Sequence, residues 1–227
     1  MFFLIKFRLL LEQFQVILRY YKTPLFALSD LALGVLYLFS NPYRTCRKFL
    51  QTKGFSSIHA YGETPLTTLE HLVNVFQITL NDRWLELGCG RGKTCLWLSL
   101  CLGCFVRGVD WVPQFESKAS LLVRLFSLPR LTFLRQSIYH ADFSWPSVVF
   151  LYSTCMSEQE INDLLLPMQA LPYQAKVITI SAPLTHPHYR LIRSTTASFP
   201  WGKTKAYLHE HLKDGAPPQT SLNDFVL

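Results

Sequence analysis

The sequence predicts an α/β fold, a mostly parallel sheet covered by helices, with an apolar helical appendage at its N-terminus. Three observations predict it. Short apolar runs, as expected of strands covered on both faces, alternate with longer stretches of helical period. Residues 84–87 (Trp-Leu-Glu-Leu) run into Gly88-Cys89-Gly90-Arg91-Gly92, with glycine at every second position, and then into the apolar residues 94–100. The next apolar run, Phe105 to Asp110, ends in an acid, at a separation of roughly 20 residues that suits a βαβ unit.

The chain has 227 residues, enough for one domain with a sizeable core plus an appendage. Its mean hydropathy is slightly positive, +0.17. The six cysteines are scattered and no small-residue cleavage site follows an apolar core, so a reducing, cytoplasmic compartment is expected. The net charge of +7 is uneven. Residues 1–53 hold eight Lys and Arg against Glu12 and Asp30, a net +6, whereas the rest holds fourteen against thirteen. The main domain therefore lacks the basic surface a nucleic-acid enzyme carries around its site, and nucleic acid is not an expected partner.

Residues 1–22 carry Phe2, Phe3, Ile5, Leu9, Leu10, Phe14, Ile17 and Leu18 among Lys6, Arg8, Glu12 and Arg19. They read as a helix with an apolar and a basic face, broken at Thr23-Pro24. Residues 25–39 form a second apolar run, interrupted by Ser29, Asp30 and Gly34 and closed by Asn41-Pro42. That run is shorter than the roughly 20 residues a spanning helix needs, and an aspartate costs about 2.5–3.5 kcal/mol to insert. Full spanning is therefore the least favoured of three readings for residues 1–40, and two others stay open beside it. These residues form a hairpin lying in a membrane interface with cations on anionic head groups, or two helices packed on the domain or on a partner. Residues 44–60 are polar and basic and read as a connector. The expected division is an appendage over 1–53, a domain over 54–213 and a loose tail over 214–227.

Within the domain, Thr64 is an N-cap candidate and Pro65 suits a first helical turn. Leu69, Leu72, Val73 and Phe76 continue that helix to about residue 78. Asn81-Asp82 is a turn before the first strand. A helix over 115–127 and a strand over 131–135 follow Asp110. A fourth strand over 147–151 delivers Tyr152, Ser153 and Thr154 to the carboxyl edge, where open α/β sheets bind ligands. Ser157 and Glu160 form a capping box. A fifth strand spans 175–181, and two more, 189–198 and 205–211, are joined by Pro200-Trp201-Gly202-Lys203. Asp142 precedes the fourth strand, and its role is open.

The glycine turn fits several ligands unequally. A dinucleotide fingerprint needs its third glycine one residue later, and a P-loop needs its first glycine where Leu87 stands. A P-loop protein also needs a magnesium carboxylate after a later strand, where this chain has Tyr152-Ser153-Thr154. The pattern acid-x-Gly-x-Gly-x-Gly is met in full by Glu86, Gly88, Gly90 and Gly92, and Asp110 can accept the hydroxyls of a ribose. A glycine-rich loop without a ligand is the bland alternative.

That pattern resembles motif I of the class I, Rossmann-like methyltransferases that use S-adenosylmethionine (SAM) on a seven-strand sheet. The resemblance implies that the turn holds the amino-acid end of SAM, with Glu86 contacting it directly or through water. Tyr61-Gly62-Glu63-Thr64 resembles the segment that the non-SET, Rossmann-fold lysine methyltransferases place over the cofactor. This implies that Tyr61 and Glu63 lie near its methionine end. The succession of that segment, motif I, Gly108-Val109-Asp110, the run 148–152 and the run 177–184 is most like the same group, over residues 58–211. By resemblance the cofactor residues are Glu63, Glu86, Gly88, Cys89, Gly90, Gly92, Asp110, Trp111, Ser137 and Ile138. There are departures. Ser137 stands where the wider family usually has an adenine-binding Asp, leaving the Ile138 N–H for the ring. Tyr152-Ser153 stands where nucleosomal members have Asn, and the Asn/Asp-Pro-Pro-aromatic signature of base methyltransferases is missing.

The chemistry implied is methyl transfer, to a protein lysine or alternatively to a small molecule, lipid or RNA. A membrane-associated module that keeps the fold without catalysis is the remaining alternative. SAM carries an activated methyl, so the enzyme has to place a neutral nucleophile about 3–3.5 Å from it. A dry, apolar pocket helps a lysine lose its proton. Tyr61, Tyr152, Ser153 and Thr154 are the candidates for that pocket. Cys101-x-x-Cys104 has no second pair, and His186, His188, His209 and His211 lack a third ligand. Buried cysteines and solvated histidines are expected rather than a metal site.

Overall fold

The computed structural model describes residues 2–54 and 61–212, with side chains from residue 5. Seven strands make one sheet: β1 (Arg83–Leu87), β2 (Phe105–Asp110), β3 (Leu131–Arg135), β4 (Val148–Leu151), β5 (Lys176–Ile180), β6 (Tyr189–Phe199) and β7 (Gly202–His211). Their order is β3-β2-β1-β4-β5-β7-β6. The first five run parallel, and β7 lies antiparallel between β5 and β6. The central strands are short and apolar because both faces are covered. Alternate residues feed two cores: Trp84, Val106, Phe150 and Ile178 on one face, Leu85, Leu87, Val149 and Val177 on the other.

The helices are α1 (Phe2–Tyr20), α2 (Pro24–Leu36), α3 (Pro42–Thr52), α4 (Leu66–Val75), α5 (Lys93–Trp97), α6 (Pro113–Leu125) and α7 (Glu158–Leu165). A wider π turn over Leu98–Leu102 continues α5. Ser157 caps α7 with both bonds of a capping box. The N-terminal helices belong to the first core, through Val16, Tyr20, Phe26, Leu33 and Tyr37. α1 packs on α4, and α2 on α5 and α6. Asp30, the residue that argued against membrane insertion, is buried; it accepts the Tyr21 hydroxyl at 3.0 Å and pairs with Lys93 at 3.2 Å. Among the described residues no helix is long and apolar enough to cross a membrane.

Several local expectations are corrected. Part of the connector expected over 44–60 is a helix, α3. Pro42 opens it, the Asn41 side chain accepts the Arg44 N–H, and Cys46 turns into the core; residues 55–60 lie outside the described residues, as does the tail 214–227. The α4 helix starts at Leu66 and ends at Val75, because Pro65 takes the cap position with an extended ψ and Gln77 adopts a φ of 54°. The β6–β7 hairpin is tighter than expected, with β7 starting at Gly202. His209 and His211 are buried rather than solvated. Burial pushes His209 down to about 4, and its neutral ring accepts the Leu184 N–H at 3.0 Å through Nε2. Asp142 ion-pairs with Arg107 at 3.0 Å and accepts the Ser144 N–H and hydroxyl, holding the turn before β4. All six cysteines are free, and no metal-binding group occurs among the described residues.

Candidate functional site

The site is built where β1, β2 and β4 end together. Gly88, Gly90 and Gly92 have φ of 75°, 54° and 78°, a left-handed conformation that a side chain resists. The need for glycine differs along the turn. A Cβ on Gly92 would come within 2.4 Å of the Phe133 ring, one on Gly90 within 3.0 Å of Tyr61, and one on Gly88 would meet nothing within 4 Å. Gly88 therefore presents bare backbone to open space. The Gly88 and Cys89 N–H groups both donate to the Val109 carbonyl, at 2.8 and 3.0 Å, which fastens the turn to β2.

Two buried acids flank the turn. Glu86 accepts the Thr94 hydroxyl at 2.6 Å and the Cys95 thiol at 3.3 Å. Burial, with a smaller push from Asp110, raises its carboxyl to about 7. Asp110 accepts the Gly90 N–H at 2.8 Å on one oxygen and the Val112 N–H at 2.8 Å on the other. Burial raises it to about 6 against the bonds from the Val112, Gly90 and Trp111 N–H groups. With the Trp111 N–H as a third donor, the carboxylate still has room for a further donor.

A strap covers the turn. The Tyr61 hydroxyl donates to Glu63 at 2.5 Å, and Arg91 clamps the same carboxylate through Nε and Nη2, both at 2.6 Å. Burial works against the Glu63 charge, but the Arg91 bonds outweigh it and hold the carboxyl below its ordinary value. Burial, then the Glu63 charge, pushes the Tyr61 hydroxyl far up. Beneath the strap lies a cavity of about 30 Å³ lined by Glu63, Glu86, Gly88, Cys89, Gly90 and Tyr152, among others. That is room for about one water, less than a ligand of SAM's size fills.

The other half of the cleft is covered by the appendage. Phe49 of α3 packs edge-on against Trp111 at 5.3 Å, with Lys53 over the indole at 5.4 Å. Burial, then the Asp110 charge, pushes the Cys46 thiol up to about 11, as expected of a thiol lying near that carboxylate. Tyr37 sits between Arg91 and Lys118, 5.2 and 4.0 Å from its ring. Its buried hydroxyl has no hydrogen-bond partner among the described residues. A buried polar atom left without a partner beside a carboxylate and a guanidinium fits a polar ligand.

The candidate residues thus divide. Glu63, Glu86, Gly88, Cys89, Gly90 and Tyr152 line one cavity, and Tyr61 lies against Gly90. Gly92 is the tight corner below, and Asp110 and Trp111 lie beside the turn under α3. Ser137 and Ile138 follow β3 and do not line the cavity; Ile138 packs against the other core. The Ser153 hydroxyl donates to the Ile180 carbonyl at 2.6 Å, and Thr154 bonds Ser181 at 2.9 Å, so both hold the ends of β4 and β5 together. Tyr152 instead accepts the Trp201 indole N–H at 2.9 Å, and Phe199 packs edge-on against it at 5.5 Å. The sequence reading missed Arg91, Tyr37 and Trp201. Arg91 was within reach, as the only charge inside a turn facing a segment with a glutamate.

No family model matches the chain. A curated relative, the H3 lysine-79 specific histone-lysine N-methyltransferase of Dictyostelium discoideum, is 28% identical over 161 residues. The match covers 64% of this chain and 8% of that much longer protein. Among solved structures, an RNA methyltransferase from Salinibacter ruber with S-adenosyl-L-homocysteine superposes with a TM-score of 0.55 at 18% identity, covering 70% of this chain and 98% of that one. The magnesium protoporphyrin IX methyltransferase of Synechocystis with bound SAM gives 0.54 at 13% identity, over 77% and 99%. The fold of this chain is that of the class I, Rossmann-like SAM-dependent methyltransferases.

Proposed function

We propose that the protein binds SAM and transfers its methyl group to an amine, in the first instance a protein lysine. The observation that carries this is the bare, left-handed Gly88–Gly90 backbone between two buried acids, at the carboxyl edge of this particular sheet. The glycine turn and Glu86 would hold the amino-acid end of the cofactor, with Glu63 above it. Asp110 would take the ribose through its remaining acceptor capacity, and Tyr37 lies close enough to share that role. The cofactor supplies an activated methyl on a cationic sulfonium; the chain has to position the acceptor and keep water out. Tyr61 and Tyr152 form an aromatic wall beside the turn, and desolvation there favours a neutral amine. The lysine assignment draws support from the Tyr61–Thr64 strap and from the curated relative, which is named for a histone lysine.

The test has two arms. Calorimetry with SAM should show saturable binding, and the absence of heat at millimolar ligand would leave a non-catalytic module. Label from methyl-tritiated SAM in a lysate should appear on lysine; label in RNA, lipid or small molecules would replace the acceptor while keeping the reaction.

The exposed face of α1 and α2 favours a reading of location as well. Phe7, Leu10, Leu11, Phe14 and Leu18 on α1, with Leu28, Leu31, Val35, Leu38 and Phe39 on or after α2, are all exposed. Contiguous apolar surface of this extent marks an interaction site. Residues 1–53 hold eight Lys and Arg against two acids; Asp30 pairs with Lys93 of the domain and Arg19 with Glu70, which leaves the segment a net positive charge. We propose that this face lies in the interface of an anionic bilayer, parallel to it rather than across it. Co-sedimentation of the full chain with liposomes tests it, and a protein that stays in the supernatant with every lipid would refute it.

A further inference from the structure

A second and larger cavity, about 440 Å³, opens between α1, the start of α4 and the β6–β7 turn. Its walls are Arg8 and Glu12 from α1, Pro65 and Thr67 at the head of α4, and Pro200 and Lys203 from the hairpin. The charges in it are unbalanced. Glu12 keeps its charge, but its oxygens accept the Thr67 N–H at 3.2 Å and the Thr67 hydroxyl at 2.5 Å, so the groove carries two cations against one carboxylate. Arg8 donates through Nη1 to the Pro200 carbonyl at 3.2 Å. Neither Arg8 nor Lys203 ion-pairs with a carboxylate among the described residues. Two cations from distant parts of the chain therefore converge on one open groove. On α1 the cation is set among Phe7, Leu10, Leu11 and Phe14, which are exposed.

A soluble anion would satisfy the two cations and leave that apolar row in water. A molecule with an anionic head joined to hydrocarbon satisfies both. We infer that the groove takes the phosphate of an anionic phospholipid head group between Arg8 and Lys203, with the acyl chains lying along the α1 ridge. The inference rests on the interfacial placement of α1 and α2 proposed above, and adds to it a site and a selectivity. Pro65, in the groove wall, follows directly on Thr64, which lines the cavity over the glycine turn. The head group would thus sit on the far side of the strap from the cofactor.

The full chain is sedimented with vesicles of phosphatidylcholine alone and of phosphatidylcholine with phosphatidylglycerol. The wild type should prefer the anionic vesicles. The double variant R8Q/K203Q should lose about tenfold or more of that preference, since each cation near an anionic surface contributes a several-fold effect. The equally discharged control R124Q/R135Q, on α6 and β3, should keep it. Equal binding to both vesicles, or equal loss in both variants, would overturn the head-group site while leaving the interfacial placement standing. No vesicle binding, with self-association on size exclusion, would overturn both and make the ridge an interface between copies. Inorganic phosphate that binds the wild type but not R8Q/K203Q at low millimolar concentration, while neither protein binds vesicles, would reassign the groove to a soluble anion and refute the lipid.

Discussion

Replacing Asp30 by alanine tests whether the N-terminal helices are part of the fold. Asp30 and Lys93 form an ion pair at 3.2 Å with side chains only 5% and 20% exposed. The aspartate also accepts the Tyr21 hydroxyl at 3.0 Å. Removing it leaves the Lys93 ammonium with the neutral Gln13 oxygen at 3.1 Å as its partner. Breaking a buried pair from one side costs about 3–5 kcal/mol. The lower end applies here, about 3 kcal/mol, because Lys93 retains Gln13 and some solvent. The double variant D30A/K93M removes both charges and should recover most of the loss, since an apolar replacement of a buried pair is often neutral. Urea denaturation of the three proteins measures it. Lys93 opens α5 directly after Gly92, so SAM calorimetry on the same samples reports whether the damage reaches the turn. A cost below about 0.5 kcal/mol for D30A, the range of ordinary surface changes, would show that the helices are not docked as described.

Further outcomes follow from the site. Gly92→Ala forces a left-handed side chain against the Phe133 ring and should cost about 3 kcal/mol in unfolding experiments. Gly88→Ala meets no atom, so it should cost only about 1–2 kcal/mol yet weaken SAM binding, and equal effects of the two would contradict the geometry. Glu86, raised to about 7 by burial, is protonated in the folded state below that pH. Its contribution to stability is therefore greatest in acid and falls as pH rises through about 7. The affinity for cationic SAM should move the other way, tightening from pH 6 to 8, and Glu86→Gln should flatten that profile. Trp201→Phe removes the indole N–H from Tyr152 while retaining an aromatic ring beside Phe199. Methyl transfer should fall several-fold, as loss of one hydrogen bond worth about 1 kcal/mol allows, with SAM affinity unchanged; a matching drop in affinity would place Trp201 in cofactor binding instead.

The parallel half of the sheet and the glycine turn were legible because each rests on local chemistry. An apolar run of four or five residues has one comfortable place, a strand covered on both faces. Glycine at alternate positions after it has one purpose, a backbone that turns through positive φ. The capping box at Ser157 and Glu160 is likewise complete within four residues. What escaped the sequence are pairings across the chain. Glu63 meets Arg91 over 28 positions and Trp201 meets Tyr152 over 49, and no periodicity announces which charge or indole will face which. Composition misled in the one place where it was weighed alone. Residues 44–52 are polar enough to pass for a connector, yet their few apolar side chains fall on one helical face.

That helix changes what the site requires. A glycine turn, two acids and an aromatic strap would suffice to describe a cofactor cleft, but here both halves are covered by the chain itself. The strap is locked by two bonds of 2.6 Å from Arg91 to Glu63, and Phe49 and Cys46 of α3 lie over the end of β2. If a SAM-sized ligand displaces the clamp or α3, part of its binding energy goes to that reorganisation. The appendage that carries α3 is also the one that presents the apolar ridge. A surface that held α1 and α2 would fix two sides of α3's neighbourhood and alter how readily it lifts. SAM affinity measured with and without anionic vesicles should then differ by several-fold, while Phe49→Ala, which loosens the cover over Trp111, should tighten SAM binding and remove the difference. If vesicles bind the protein and leave the SAM affinity of both proteins unmoved, α3 is a fixed wall and the coupling is absent.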